Sequence, residues 1–120
     1  MSKHYPDITH SIVEYIKQLK IVIPDTLKGF YDMASFATKD SAIDKKTKEF
    51  IALAIGVSTR CDGCIGFHAK ALVELGATRE EVAEVLGMAV YMGGGPSLMY
   101  AADALRAYDQ FKTPLKEGER

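Results

Sequence analysis

Apolar residues recur along most of this chain three or four positions apart. Ile8, Ile12, Tyr15, Ile16 and Leu19 form the first such stripe, the period of a helix that buries one face. Asp7 stands where it can cap that helix, and the polar residues 1–6 read as frayed. Ile21-Val22-Ile23 is a short apolar run stopped by Pro24. With no second strand candidate to pair with it, a buried connection is expected there. Asp25 or Thr26 can begin a second helix through Leu27, Phe30, Tyr31, Met33, Ala34 and Phe36, ending at the polar break Lys39-Asp40-Ser41.

Asp44 can cap a third helix. It opens with Lys45, Lys46 and Lys48, read as a solvated start, and passes Glu49 into Phe50-Ile51-Ala52-Leu53-Ala54-Ile55. A helix apolar all round is expected to be central, with neighbours on every side. Gly56, Ser58 and Thr59 mark its end. A fourth helix runs from at or just before Cys61 to about Leu75, and Gly76 suits a left-handed cap. Thr78 and Glu81 have capping-box spacing and open a fifth helix with Val82, Val85, Leu86, Ala89, Val90 and Met92. Gly93-Gly94-Gly95-Pro96 reads as a tight corner, since no Lys-Ser/Thr pair follows to hold a phosphate. Residues 97–111 resume the period with Leu98, Met99, Ala101, Ala102, Leu105, Tyr108 and Phe111. The expectation is an all-α fold of about six helices in one domain, residues 1–114, followed by a disordered charged tail, residues 115–120. Met88, Met92 and Met99 read as core filler. Helices three, five and six carry more apolar and small residues than one small core needs, so a homo-oligomer is expected.

Composition narrows the function. The chain has 120 residues, 48% hydrophobic and 26% charged, with a formal net charge of −1. That balance suits one soluble globular unit and gives no sign of nucleic acid or an anionic membrane as partner. The apolar runs are too short to span a membrane. Met1-Ser2-Lys3-His4-Tyr5-Pro6 has neither an apolar core nor a cleavage site, so no secretory signal is expected and a cytoplasmic address follows. In that compartment a close cysteine pair is more often catalytic or metal-binding than structural.

Both cysteines, and the one histidine beyond residue 10, fall in Cys61-Asp62-Gly63-Cys64-Ile65-Gly66-Phe67-His68. On a helix these offsets put Cys61, Cys64 and His68 on one face, with neighbouring Cβ atoms roughly 5–6 Å apart. A free thiol ionises near ~8.5, and a helix N-terminus lowers that value. An i, i+3 pair also lies within the ~4.4–6.8 Å Cα range of a disulfide, so the pair can attack and then close on itself. His68 can take or relay a thiol proton. Glu49 precedes Cys61 by twelve residues, on a helix expected to pack antiparallel. It can face His68, which gives the order carboxylate, imidazole, thiol. Glu49, Cys61, Cys64 and His68 also make a tetrahedral zinc set on paper, although three ligands on one helical face splay poorly around one ion. A third reading keeps the thiols only as a redox sensor.

These residues resemble a known family, the AhpD-like alkylhydroperoxidases of the carboxymuconolactone decarboxylase superfamily. The resemblance rests on Glu49 with the Cys-x-x-Cys-x-x-x-His run from Cys61 to His68. Ala71, the block from Leu75 to Val82 and Gly93-Gly94-Gly95-Pro96 extend it, so that it covers roughly residues 25–111. It implies an AhpD-like helical fold assembled as trimers, or as hexamers built from dimers, and a thiol-dependent peroxidase or disulfide-reductase activity on hydroperoxides. It implies Cys64 as the attacking thiol, Cys61 as the resolving one, and Glu49 and His68 as the proton relay. No bound cofactor is implied, only a dithiol electron donor of lipoyl or thioredoxin type. The helix dipole by itself favours Cys61 as the more acidic thiol, and the nearby imidazole favours Cys64. Some peroxidase members carry a second histidine between the cysteines, where this chain has Gly63. The lactone decarboxylases generally lack the pair, so decarboxylation is not expected.

Overall fold

Tyr5, Leu53, Val57, Ile65, Ala69, Leu72 and Val82 are fully buried and belong to one hydrophobic core. The computed structural model describes residues 2–114; the tail expected to be disordered, residues 115–120, lies outside them. Six helices follow one another: α1 (Tyr5–Val22), α2 (Pro24–Thr38), α3 (Lys45–Ser58), α4 (Asp62–Glu74), α5 (Arg79–Gly93) and α6 (Gly95–Lys112). Among the described residues there is no strand, and no helix is long and apolar enough to cross a membrane. The all-α expectation of about six helices holds.

α4 packs against α1, α3 and α6, and α5 closes over α3 and α6. Ser97, Ala101, Ala104 and Ala107 are the buried small residues of α6. The expected caps at Asp44 and Thr78 are present. Asp44 accepts from the Thr47 N–H, and Thr78 and Glu81 form a reciprocal capping box. The Thr78 backbone N–H, followed by Lys46, holds the Glu81 carboxyl below its ordinary range. Gly76 has φ 78°, the left-handed cap expected of it. The corner at Gly93–Gly95 joins α5 directly to α6.

Other expectations need correction. Residues 2–6 are not frayed. α1 starts at Tyr5, ahead of Asp7, with Pro6 in its first turn. Pro suits that position, and Tyr5 continues the apolar stripe one turn back into the core. Ile21-Val22-Ile23 is not a buried connection. α1 runs on to Val22, and Ile21 and Val22 are 76% and 75% exposed. Pro24 lets α2 begin at once, one residue ahead of Asp25, so the α1–α2 corner projects outward. No residue of α2 is buried, and Phe30, Tyr31, Met33 and Phe36 are exposed.

α3 is not enclosed on every side. Its Glu49, Leu53, Gly56 and Val57 are buried, while Ile51 and Ile55 stay exposed, because the helices packed on it cover only one face. Met88, Met92 and Met99 are exposed rather than core, since α5 and α6 turn their alanine, valine and leucine positions inward. The lysines at the start of α3 are not all solvated: Lys46 pairs with Glu81, and Lys48 donates to the Lys39 carbonyl.

The close approach of α1 and α4 sets up a stability test. A Cβ on Gly66 of α4 would lie 2.5 Å from Thr9 Cγ2 and 3.4 Å from Tyr5 Cδ1 on α1. Thr9 is held by hydrogen bonds to the Tyr5 and Pro6 carbonyls and has little room to yield. Gly66→Ala is therefore expected to destabilise the fold by about 2 kcal/mol in chemical denaturation. Unchanged stability would mean that α1 is free to shift.

Candidate active site

The turn between α3 and α4 takes only three residues, Thr59 to Cys61, so α4 folds straight back along α3. Arg60 adopts φ 56° there, the one non-glycine positive φ among the described residues. The Cys61 N–H donates back to the Gly56 carbonyl at 3.0 Å. Gly56 permits the close return: a Cβ on it would lie 3.1 Å from Cys64 Cβ. The end of α3 is thus pressed against the cysteine stretch.

Cys61 is the N-cap of α4, and its Sγ accepts from the Cys64 N–H at 3.2 Å. Cys64 therefore sits within the first turn, where unpaired amide N–H groups favour negative charge. The two cysteines are joined as a disulfide with Cα atoms 5.2 Å apart. Both residues are half-buried, which leaves them open to a small reactant.

His68 lies one turn further along α4. Its Nδ1 is 2.5 Å from Glu49 Oε2, and Glu49 itself is buried, 5% exposed. In the neutral tautomer whose Nδ1–H donates to Glu49, Nε2 carries the lone pair. The sequence placed Glu49 opposite His68 and the two cysteines together at a helix start; the structure brings both pairs about, on adjoining faces of α3 and α4. Among the described residues, no group of three or more His, Cys, Asp or Glu side chains is placed to hold a metal ion. In this oxidised form the two sulfurs are committed to each other rather than to the zinc arrangement.

Sequence reasoning missed a polar cluster that meets α4 at Asp62. Lys3 Nζ donates to Asp62 Oδ1 and to Asp103 Oδ2, each at 3.0 Å. The Tyr5 hydroxyl donates to the same Asp62 oxygen at 2.8 Å. Gln110 ties this segment to α6 by accepting from the Tyr5 N–H and donating to the Lys3 carbonyl. The available signal was the stripe of Ile8, Ile12 and Ile16, which extends back to Tyr5 at helical spacing.

Comparisons with known proteins bear on the family and the fold. The model of the carboxymuconolactone decarboxylase family matches residues 24–107. A carboxymuconolactone decarboxylase family protein from Legionella pneumophila has a similar crystal structure, with TM-score 0.90 and 54% identity over 93% of this chain and 100% of that one. An uncharacterized protein of Cupriavidus necator is 41% identical over 86 residues, 72% of this chain and 76% of its own. The alkyl hydroperoxide reductase AhpD of Mycobacteroides abscessus is 35% identical over 63 residues, 52% of this chain and 36% of its own.

The disulfide gives the site its own test. Protein purified without reductant is expected to take up no iodoacetamide, and two adducts per chain after dithiothreitol, by intact mass. Two adducts before reduction would show the pair to be free thiols.

Proposed function

Since the chain belongs to the carboxymuconolactone decarboxylase family, we propose that it is a thiol-dependent peroxidase that reduces hydroperoxides and is recharged by a dithiol. The observation that carries this reading is the Glu49–His68 hydrogen bond one helical turn from a closed Cys61–Cys64 pair. A disulfide alone is also compatible with a sensor. A buried carboxylate aligned on an imidazole beside it is a means of moving protons.

In the reduced protein His68 takes the Cys64 thiol proton while Glu49 orients the ring and steadies its charged form. The Cys64 thiolate attacks the outer oxygen of ROOH, the O–O bond breaks, and the alkoxide takes the proton from His68 and leaves as ROH. Cys64 is now a sulfenic acid. The Cys61 sulfur attacks it, the S–S bond forms, and the hydroxyl leaves as water with the Cys61 proton. A dithiol of lipoyl or thioredoxin type then reduces the disulfide and is itself oxidised to a disulfide. Overall, ROOH and a dithiol give ROH, water and an oxidised donor. Cys64 is the attacking sulfur because it lies one turn from His68, whereas Cys61 is the N-cap that the recoil can reach.

A homo-oligomer, trimer or hexamer, in the cytoplasm is part of the same proposal. It is supported by the exposed Phe30, Met33, Phe36, Ile51, Ile55, Tyr91 and Met92, more apolar surface than a monomer of this size ordinarily leaves in water.

Hydroperoxide consumption with dithiothreitol or dihydrolipoamide tests the reading. Wild type is expected to turn over. Cys64→Ser should be inactive, and Cys61→Ser, mixed with peroxide in the absence of the dithiol, should consume one equivalent and stop as a sulfenic acid. Full turnover by Cys64→Ser would overturn the assignment. A disulfide that forms reversibly without turnover on any donor would make the protein a sensor.

A further inference from the structure

Asp62 places a carboxylate between the two sulfurs in the chain, next to Cys61 and two residues before Cys64. In the first turn of α4 it suits the helix dipole. For the thiols it is a poor neighbour, because a nearby negative charge disfavours a thiolate. Lys3 reaches this carboxylate from a position 59 residues away in the chain. Its ammonium bridges Asp62 and Asp103 and lies 4.9 Å from the centre of the Tyr100 ring. Burial works against its charge, yet the hydrogen bonds to Asp62 and Asp103 outweigh it and hold Lys3 above the ordinary lysine range. Tyr5 is fully buried. Burial first, and the bond to Asp62 next, push its hydroxyl far above the ordinary tyrosine range, so it stays a donor and fixes the Asp62 oxygen in place.

We propose that Lys3 and Asp62 are positioning residues that set the acidity of the Cys61–Cys64 pair, the lysine cancelling the carboxylate that the chain must carry between the thiols. The remaining ionisable groups around this end of α4 do not offer the same cancellation. Glu49 of α3 is engaged with His68, Arg106 of α6 lies 3.8 Å from Asp103, and Arg60 in the turn is exposed. Removing the ammonium leaves the Asp62 carboxylate, next to Cys61 in the chain, without the cation that it shares with Asp103. Removing the Asp62 charge takes away the carboxylate next to Cys61 and leaves Lys3 in place, paired with Asp103. The two changes therefore move thiol acidity in opposite directions, which a merely structural role of either side chain would not do.

The proposal rests on the redox reading of Cys61 and Cys64, but its test reads ionisation and needs no peroxide turnover, so each can fail without the other. The pH dependence of iodoacetamide alkylation is measured in Cys61→Ser and Cys64→Ser backgrounds, so that one reduced thiol is read at a time. Lys3→Gln is expected to raise the thiol midpoint by about half a pH unit and Asp62→Asn to lower it by a similar amount. Lys3→Arg should keep the parent value. Both shifts should shrink in about 1 M salt, where screening acts within about 3 Å. Lys3 and Asp62 are part-exposed, so these variants are expected to fold, and circular dichroism verifies it. Shifts of the same sign, or no shift at either thiol, would overturn the proposal.

Discussion

A carboxylate buried between two helices has to be met by a partner, and much of this structure follows from how Glu49 is met. Leaving it unpaired would cost several kcal/mol. His68 supplies the bond, and it can do so only because α4 turns back on α3 within three residues and Gly56 lets Cys64 lie against it. The same apposition puts the cysteine pair at the start of α4, where the helix end favours a thiolate. One packing relation therefore serves both the stability of the buried charge and the chemistry beside it.

The second constraint comes from outside that helix pair. The start of the chain is tied onto α4 and α6 by Tyr5, Lys3 and Gln110, and it holds the Asp62 carboxylate, the residue after Cys61. The first residues of the chain thus bear on a site some sixty positions later. Gly66 plays the matching part on the apolar side, since α1 can lie this close only where α4 has no side chain.

Local features were well read from the sequence. The helical periods, the caps at Asp44, Thr78 and Gly76, and the juxtaposition of Glu49 with His68 each depend on residues close in the chain or on one short turn. What the sequence hid depends on distant neighbours. Ile21, Val22 and the methionines of α5 and α6 are apolar at helical spacing whether or not anything covers them, so period alone could not tell a core face from an outer one. Lys3 looked like an ordinary polar residue because its two carboxylates lie 59 and 100 positions away. Tyr5 was hidden for a related reason: its burial comes from α4 and α6, not from its polar neighbours in sequence.

The central claim is that Glu49 and His68 act as one unit on the cysteine pair. Single-turnover closure of the Cys61–Cys64 disulfide by hydrogen peroxide, in wild type, Glu49→Gln, His68→Gln and the double variant, tests it most directly. Each single change is expected to slow closure about a hundredfold, and the double variant should be no slower than the slower single one, as groups in one relay are non-additive. Losses that multiply, or a wild-type rate in Glu49→Gln, would contradict the account.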